Sequence, residues 1–337
     1  MYAGWTRLPD DDPSDAGPTV IDILFLVLPD SLLLDLAGPA EAFRLANQRL
    51  QHAHKPAAFR MRYVGPLPEV ESSVGLGLSK IEPLPAELPP RCWVVVLGRP
   101  GNAPEVLRRQ RPWLGARDWL ARVVAPRLAD GDTTLLTVCV GALLAADAGL
   151  VGTRCVTTHH ELLDELAQLA PAATVQANRV FVEDGPLLSS AGITAGIDLA
   201  LHLITRECGP VIASAVAQVM VAFTRRGPQD TQRSPLLAHR DHLHPAVHRV
   251  QDAVCAAPGT AWSAERLAAA AHVTPRHLAR LFHTHVRLSP RAYVEHVRRG
   301  LAQHALAGGA SSADAAQLAG FDSTRRLRQA LNRQVAE

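Results

Sequence analysis

The sequence predicts an α/β domain, a largely parallel sheet sandwiched by helices, followed by a smaller all-α domain. Three observations carry this. Short apolar runs alternate with helical segments from about Thr19 to Cys208, as parallel strands joined by helical crossovers require. After His244 only helical patterning remains, with Ala and Leu at three- and four-residue spacing. Between these regions, residues 225–245, "RRGPQDTQRSPLLAHRDHLHP", are polar, contain three Pro and show no period, which marks a linker. Its histidines lack Cys or acidic partners at metal-ligand spacing, so they are expected to be solvated, and no metal site or cofactor is expected.

Taken in order, residues 1–18 form an acidic, Pro-containing leader without the basic and apolar regions of a signal peptide. Residues 19–224 are expected to form one domain. "VIDILFLVL" reads as its first strand and "DLAGPAEAFRLANQ" as the helix after it. "FRMRYVG" and "RCWVVVLGR" are further strands, and "ARDWLARVVAPRLADG" is a helix. "TTLLTVCV" is a strand that runs into "GALLAADAGL", a helix stopped by Gly149. "RCVTTHHELLDELAQL", "TVQANRVFVEDGPLLSS" and "GITAGIDLALHLITREC" complete the alternation. The longest apolar runs fall short of the roughly 20 residues that cross a bilayer, so a cytoplasmic chain without membrane contact is expected.

Charge and cysteine usage separate the two halves. Five Cys without metal-ligand spacing point to reduced thiols rather than a disulfide framework. Residues 240–337 hold 13 Arg against 7 acidic residues, whereas the whole chain carries only +2. A basic tail on an otherwise slightly acidic chain is the footprint of a polyanion-binding segment.

Within that tail a helical pattern occurs twice. "LAAAAHVTPRHLARLF" (267–282) and "AAQLAGFDSTRRLRQAL" (315–331) each read as an Ala-rich helix, a tight turn and an Arg-rich helix, two helix-turn-helix units. Thr274 caps the second helix of the first unit, with Pro275 in its first turn. Leu278, Leu281 and Phe282 form the inward stripe. Arg276 and Arg280 lie on the opposite face, and Arg325, Arg326 and Arg328 repeat the charge in the second unit. Such a helix fits the major groove, where Arg reads guanine or pairs with phosphate.

In the α/β half, "TVCVGALLAADAGL" (137–150) puts Cys139 at a strand-to-helix corner, the geometry of a nucleophile elbow. Three roles are open to it: nucleophile, ligand-lining group, or small packed residue. The first needs a base or a positive environment to make the thiolate.

Residues 246–336 resemble the DNA-binding domain of AraC/XylS-type transcription regulators, through "WSAERLAAAAHVTPRHLARLF", "LSPRAYVEHVRRGLAQHAL" and "AGFDS". That resemblance implies a double-stranded DNA operator as partner. It implies Arg276, Ala279 and Arg280 as base-facing positions in the first unit and Thr324, Arg325 and Gln329 in the second. Gln329 and Leu331 stand where the family usually has Arg and Phe, Ala315 where a larger aliphatic is common, and the family's usual C-terminal ending is missing. The second unit is therefore expected to be less stable or to bind more weakly.

Residues 19–224 resemble the PfpI-like, class I glutamine amidotransferase-like fold in its GlxA-type fusion to AraC-type tails, through "DLAGPAEAFRLAN", "TVCVGALLAADAGLVGTRCVTTHH" and "SSAGITAGIDLALHLI". This implies a flavodoxin-like sheet with an effector pocket around Asp35, Gly98, Cys139, Val140 and His159. His159 matches the family's pocket histidine, Asp35 the acidic group facing the Cys, and Gly98 offers backbone N–H groups to an oxyanion or ligand carboxylate. His160 replaces a usual Trp, and Val140 replaces the hydroxyl residue of cysteine-dependent hydratases, which weakens the enzyme reading. The expectation is a homodimeric, non-enzymatic transcription regulator that senses a small molecule, of the nitrogen-rich metabolite class. The alternatives are a cysteine-dependent hydratase or amidase-like enzyme with a DNA-binding tail, and a nucleoid-type binder without ligand.

Overall fold

The computed structural model describes residues 20–100, 109–222, 226–228, 230–232, 239–240, 242–307 and 309–332. The chain divides into two compact units. One is built from the residues up to Arg226, the other from Gly227 onward together with Asn178–Val180.

The first unit is organised by a seven-stranded sheet. Its strands are β1 (Ile21–Leu26), β2 (Phe59–Gly65), β5 (Glu82–Pro83), β6 (Cys92–Val96), β7 (Thr133–Val138), β10 (Phe181–Asp184) and β11 (Leu187–Ser190). Two-residue ladders β3 (Val70–Glu71) with β4 (Gly77–Leu78), and β8 (Cys155–Val156) with β9 (Thr174–Val175), stand apart from it. The order is β10-β11-β7-β6-β1-β2-β5. Every described pairing in it is parallel except β10 with β11. All residues of β1 and β6 are buried, because a central parallel strand is covered on both faces, and this is why these strands read as near-continuous apolar runs. Asp22 is the charged exception in β1, and Arg60 of β2 grips both its oxygens at 2.5 and 2.6 Å.

The order in which strands are added reverses at β1, between β2 and β6. β2 is laid down on one side of β1, while β6 and β7 are added on the other. Right-handed crossovers then send the helices to opposite faces. α1 (Leu33–His52) follows β1. α2 (Arg111–Trp119) continues through a π-helical turn, Leu120–Val124, into α3 (Ala125–Ala129). α4 (Gly141–Asp147) leaves the elbow after β7, and α5 (Leu163–Leu169) follows β8. α6 (Thr194–Cys208) and α7 (Pro210–Val219) close the unit, packing on α1 while α2 packs on α4. Phe43 of α1 meets Phe59 and Trp93 of the sheet at ring distances of 5.0 and 5.9 Å.

The second unit is helical: α8 (Pro245–Ala256), α9 (Ala264–Ala271), α10 (Pro275–Val286), α11 (Pro290–Ala307), α12 (Ser312–Leu318) and α13 (Thr324–Asn332). It has two small cores. The first gathers Val250, Leu267, Leu278, Phe282, Tyr293 and Val297. The second gathers Ala302, Ala315, Ala316, Ala319 and Leu327. α11 feeds both, through Tyr293 and Val297 at one end and Ala302 at the other, with Leu301 packed against each. Ser263, Thr274 and Ser311 cap α9, α10 and α12 by accepting from the N–H groups of Arg266, His277 and Asp314.

The linker histidines depart from expectation. His242 packs against His248 and His285 at ring distances of 4.5 and 5.7 Å, and His244 against His285 at 4.8 Å. The end of the linker is thus laid onto α8 and α10 with His242 and His244 half-buried rather than fully solvated, because packed imidazole rings bury ring surface on one another.

Candidate functional site

In an open α/β sheet, ligands bind outside the carboxyl ends of the strands where the strand order reverses. Here that place is bounded by the segments after β1, β6 and β7. It contains Asp35, Gly98 and Cys139.

Cys139 occupies the corner between β7 and α4 with φ +54°. A non-glycine residue there costs on the order of 1–3 kcal/mol and persists only where its surroundings hold it. The Cys139 N–H donates to the Ser190 carbonyl at 3.0 Å, and its own carbonyl accepts from the buried Thr158 hydroxyl at 2.7 Å. Three glycines make room for the corner. A Cβ on Gly98 would overlap Asp35 Oδ2 and Cys139 Cβ, one on Gly192 would overlap Cys139 Cβ, and one on Gly141 would overlap the Val96 carbonyl oxygen.

The site is closed and its acid and thiol are both biased toward their neutral forms. Asp35 is 0% exposed and Cys139 5%. Asp35 Oδ1 accepts from the Ile193 N–H at 2.7 Å, while Oδ2 lies against Gly98 without a well-formed hydrogen bond. Burial pushes this carboxyl up to about 6, against the lowering pull of the Ile193 and Gly98 N–H groups. Burial first, and the facing Asp35 carboxylate second, push the Cys139 thiol up to about 12, with the Val140 N–H as the opposing influence. A nucleophilic cysteine needs the reverse, an electropositive and accessible setting.

The structure brings Asp35, Gly98, Cys139 and Val140 together. His159 follows Thr158 in the chain, but its described contacts are with Glu161, Nδ1 to Oε2 at 3.5 Å, and with the His160 ring at 4.2 Å. None of these described contacts puts the imidazole on the sulfur. Sequence reasoning missed Ile193, Gly192 and Thr158. Ile193 has φ +52° and stands immediately before α6, its N–H donating to Asp35 across 158 residues of chain. Only the Gly before it hinted at an unusual turn.

The second candidate site lies on the helical unit. Leu278, Leu281 and Phe282 of α10 face its core, at 1%, 9% and 0% exposure. Arg276, Ala279 and Arg280 on the opposite face are exposed, with Arg280 Nη2 3.1 Å from His277 Nδ1. In α13, Leu327 and Ala330 are buried and Thr324, Arg325 and Gln329 are exposed. Both Arg-rich helices therefore turn their apolar stripe inward and their basic face to solvent.

Among known proteins, residues 267–337 match a family model described as a helix-turn-helix domain. The HTH-type transcriptional regulator GbdR of Pseudomonas aeruginosa is 27% identical over 323 residues, covering 95% of this chain and 82% of that protein. The HTH-type transcriptional regulator CdhR of the same species is 32% identical over 164 residues, 49% of this chain and 48% of that protein. Among solved structures, a THiJ/PfpI family protein from Pseudomonas syringae superposes with a TM-score of 0.47 and 22% identity over 66% of this chain and 84% of that one.

Proposed function

We propose that this chain is a DNA-binding transcriptional regulator, with an AraC-type helix-turn-helix domain behind a PfpI-like α/β domain, that couples a small molecule to an operator. α10 and α13 read base edges through Arg276, Ala279 and Arg280, and through Thr324, Arg325 and Gln329. The observation that carries this is the duplicated basic face, exposed on both helices while the residues behind it are buried. Two chains bind one operator in the cytoplasm, because dimerisation doubles the phosphate contacts and makes half-site spacing part of recognition.

The α/β domain acts as sensor, not enzyme. The loops carrying Asp35, Gly98, Cys139, Val140 and His159 receive the effector, and the thiol lines the pocket in its protonated form. A buried sulfur held near 12 supports this role over a hydratase or amidase.

Fluorescence anisotropy on duplexes enriched by the wild-type protein from a random pool tests the DNA reading. Arg280→Ala should lower affinity and relax discrimination at one base pair by roughly 1–3 kcal/mol, with the wild type binding as two chains per duplex. Equal affinity of variant and wild type for the enriched sequences would remove α10 from the interface.

A further inference from the structure

Between the two helix-turn-helix units lies a cleft of about 900 Å³. Pro275 and Ala279 of α10 line one wall, and Arg326 and Gln329 of α13 the other. Ala279 and Gln329 are both base-facing in the proposed reading, so the cleft separates the two reading heads. On one face of B-DNA, one stretch of major groove is separated from the next by the minor groove, with a sugar-phosphate strand on each of its sides. A duplex read by both helices therefore presents this phosphate-edged minor groove to the cleft.

The walls are chemically suited to it. Arg291, exposed in the first turn of α11, and Arg326 both line the cleft. Arg326 is held by Asp322, Nη1 to Oδ2 at 2.7 Å, and both side chains are largely exposed. An exposed pair of this kind is worth little to stability, so a phosphate can take the carboxylate's place at small cost. Arg298 also lines the cleft but is already committed, donating to the carbonyls of Pro258 and Thr260 at 2.7 and 2.9 Å. Those carbonyls flank Gly259, which meets Gly320 of the second unit so closely that a Cβ on Gly320 would overlap the Gly259 Cα. Arg298 and the two glycines therefore fix the width of the cleft. Glu295 lines it as well, which leaves three arginines against two carboxylates.

We propose that this cleft is a binding site for the phosphodiester backbone that edges the minor groove between the two major-groove stretches, with Arg291 and Arg326 as its phosphate ligands and Asp322 as the group that occupies Arg326 until DNA arrives. The proposal rests on the regulator reading but assigns sequence-independent contacts that the base-facing residues do not make.

The test is the salt dependence of full-length protein binding to two unrelated 40-base-pair duplexes, followed by fluorescence anisotropy. Each phosphate contact contributes about 0.9 to the slope of log affinity against log salt. Arg291→Ala should reduce that slope by about 1 and weaken binding to both duplexes by the same factor, about fivefold to tenfold near 0.1 M salt. Arg291→Lys should keep the slope, and Asp322→Asn should tighten binding to both duplexes alike. Circular dichroism checks that the variants fold; both substituted side chains are exposed. A wild-type slope in Arg291→Ala, or a loss confined to one duplex, overturns the cleft assignment while leaving the regulator reading intact. Failure of the wild type to bind either duplex at low salt overturns both.

Discussion

At the scale of single residues, Asp35 and Cys139 show how burial sets chemistry. The thiol sits at a strand-to-helix corner, the geometry of a nucleophile elbow, yet it is enclosed and faces a carboxyl group, and both influences favour the protonated sulfur. Asp35 carries a measurable consequence. Its folded value of about 6 lies above the ordinary 3.8, so the folded state binds this proton more tightly than the unfolded chain does. The stabilisation linked to it is fully present below about pH 4 and is lost as pH rises through 6. The difference corresponds to about 3 kcal/mol at neutral pH. Asp35→Asn should therefore raise the thermal midpoint at pH 7.5 and flatten its dependence between pH 4 and 7, as followed by circular dichroism melts. A variant as pH-dependent as the wild type across that window would show that Asp35 is not the buried group responsible.

At the scale of elements, the helical unit follows local rules closely. Thr274 and Pro275 start α10 where a cap and a first-turn proline are read from "VTPRHL", and its inward stripe is Leu278, Leu281 and Phe282. The strands β1, β6 and β7 coincide with short, mainly apolar or β-branched runs. The two-residue ladders were not legible, because two residues hold no period and their pairing depends on where the flanking loops are carried. The turn between α12 and α13 has a sharper constraint. Gly320 has φ +75° and packs on Gly259, so Gly320→Ala meets both an unfavourable backbone region and a backbone atom. Urea unfolding should show a loss of at least about 2 kcal/mol. A loss under about 0.5 kcal/mol would show that the two units are free to separate at this point.

At the scale of the whole molecule, the proposed sensing of a metabolite by the α/β domain requires that the metabolite favour one state of the chain over another. A ligand that binds only the folded state raises apparent stability, so a thermal-shift screen of amino acids and quaternary amines should find compounds that raise the melting midpoint. Cys139→Ala should reduce that shift while leaving affinity for DNA unchanged without ligand. An identical shift in the variant would move the pocket away from the elbow.

The sequence by itself determined the class of each half, since hydrophobic period, caps and charge are local quantities that no neighbour alters. It marked Cys139 as a corner residue and the two Arg-rich helices as a repeated basic surface. Only the tertiary structure decided that the thiol is shut away from solvent, that Asp35 is bonded by Ile193 rather than by a neighbour in sequence, and that His159 turns to Glu161. The physical reason is that desolvation and hydrogen bonding depend on atoms brought together from distant parts of the chain. A thiol's protonation state follows from that enclosure, which no spacing along the chain records.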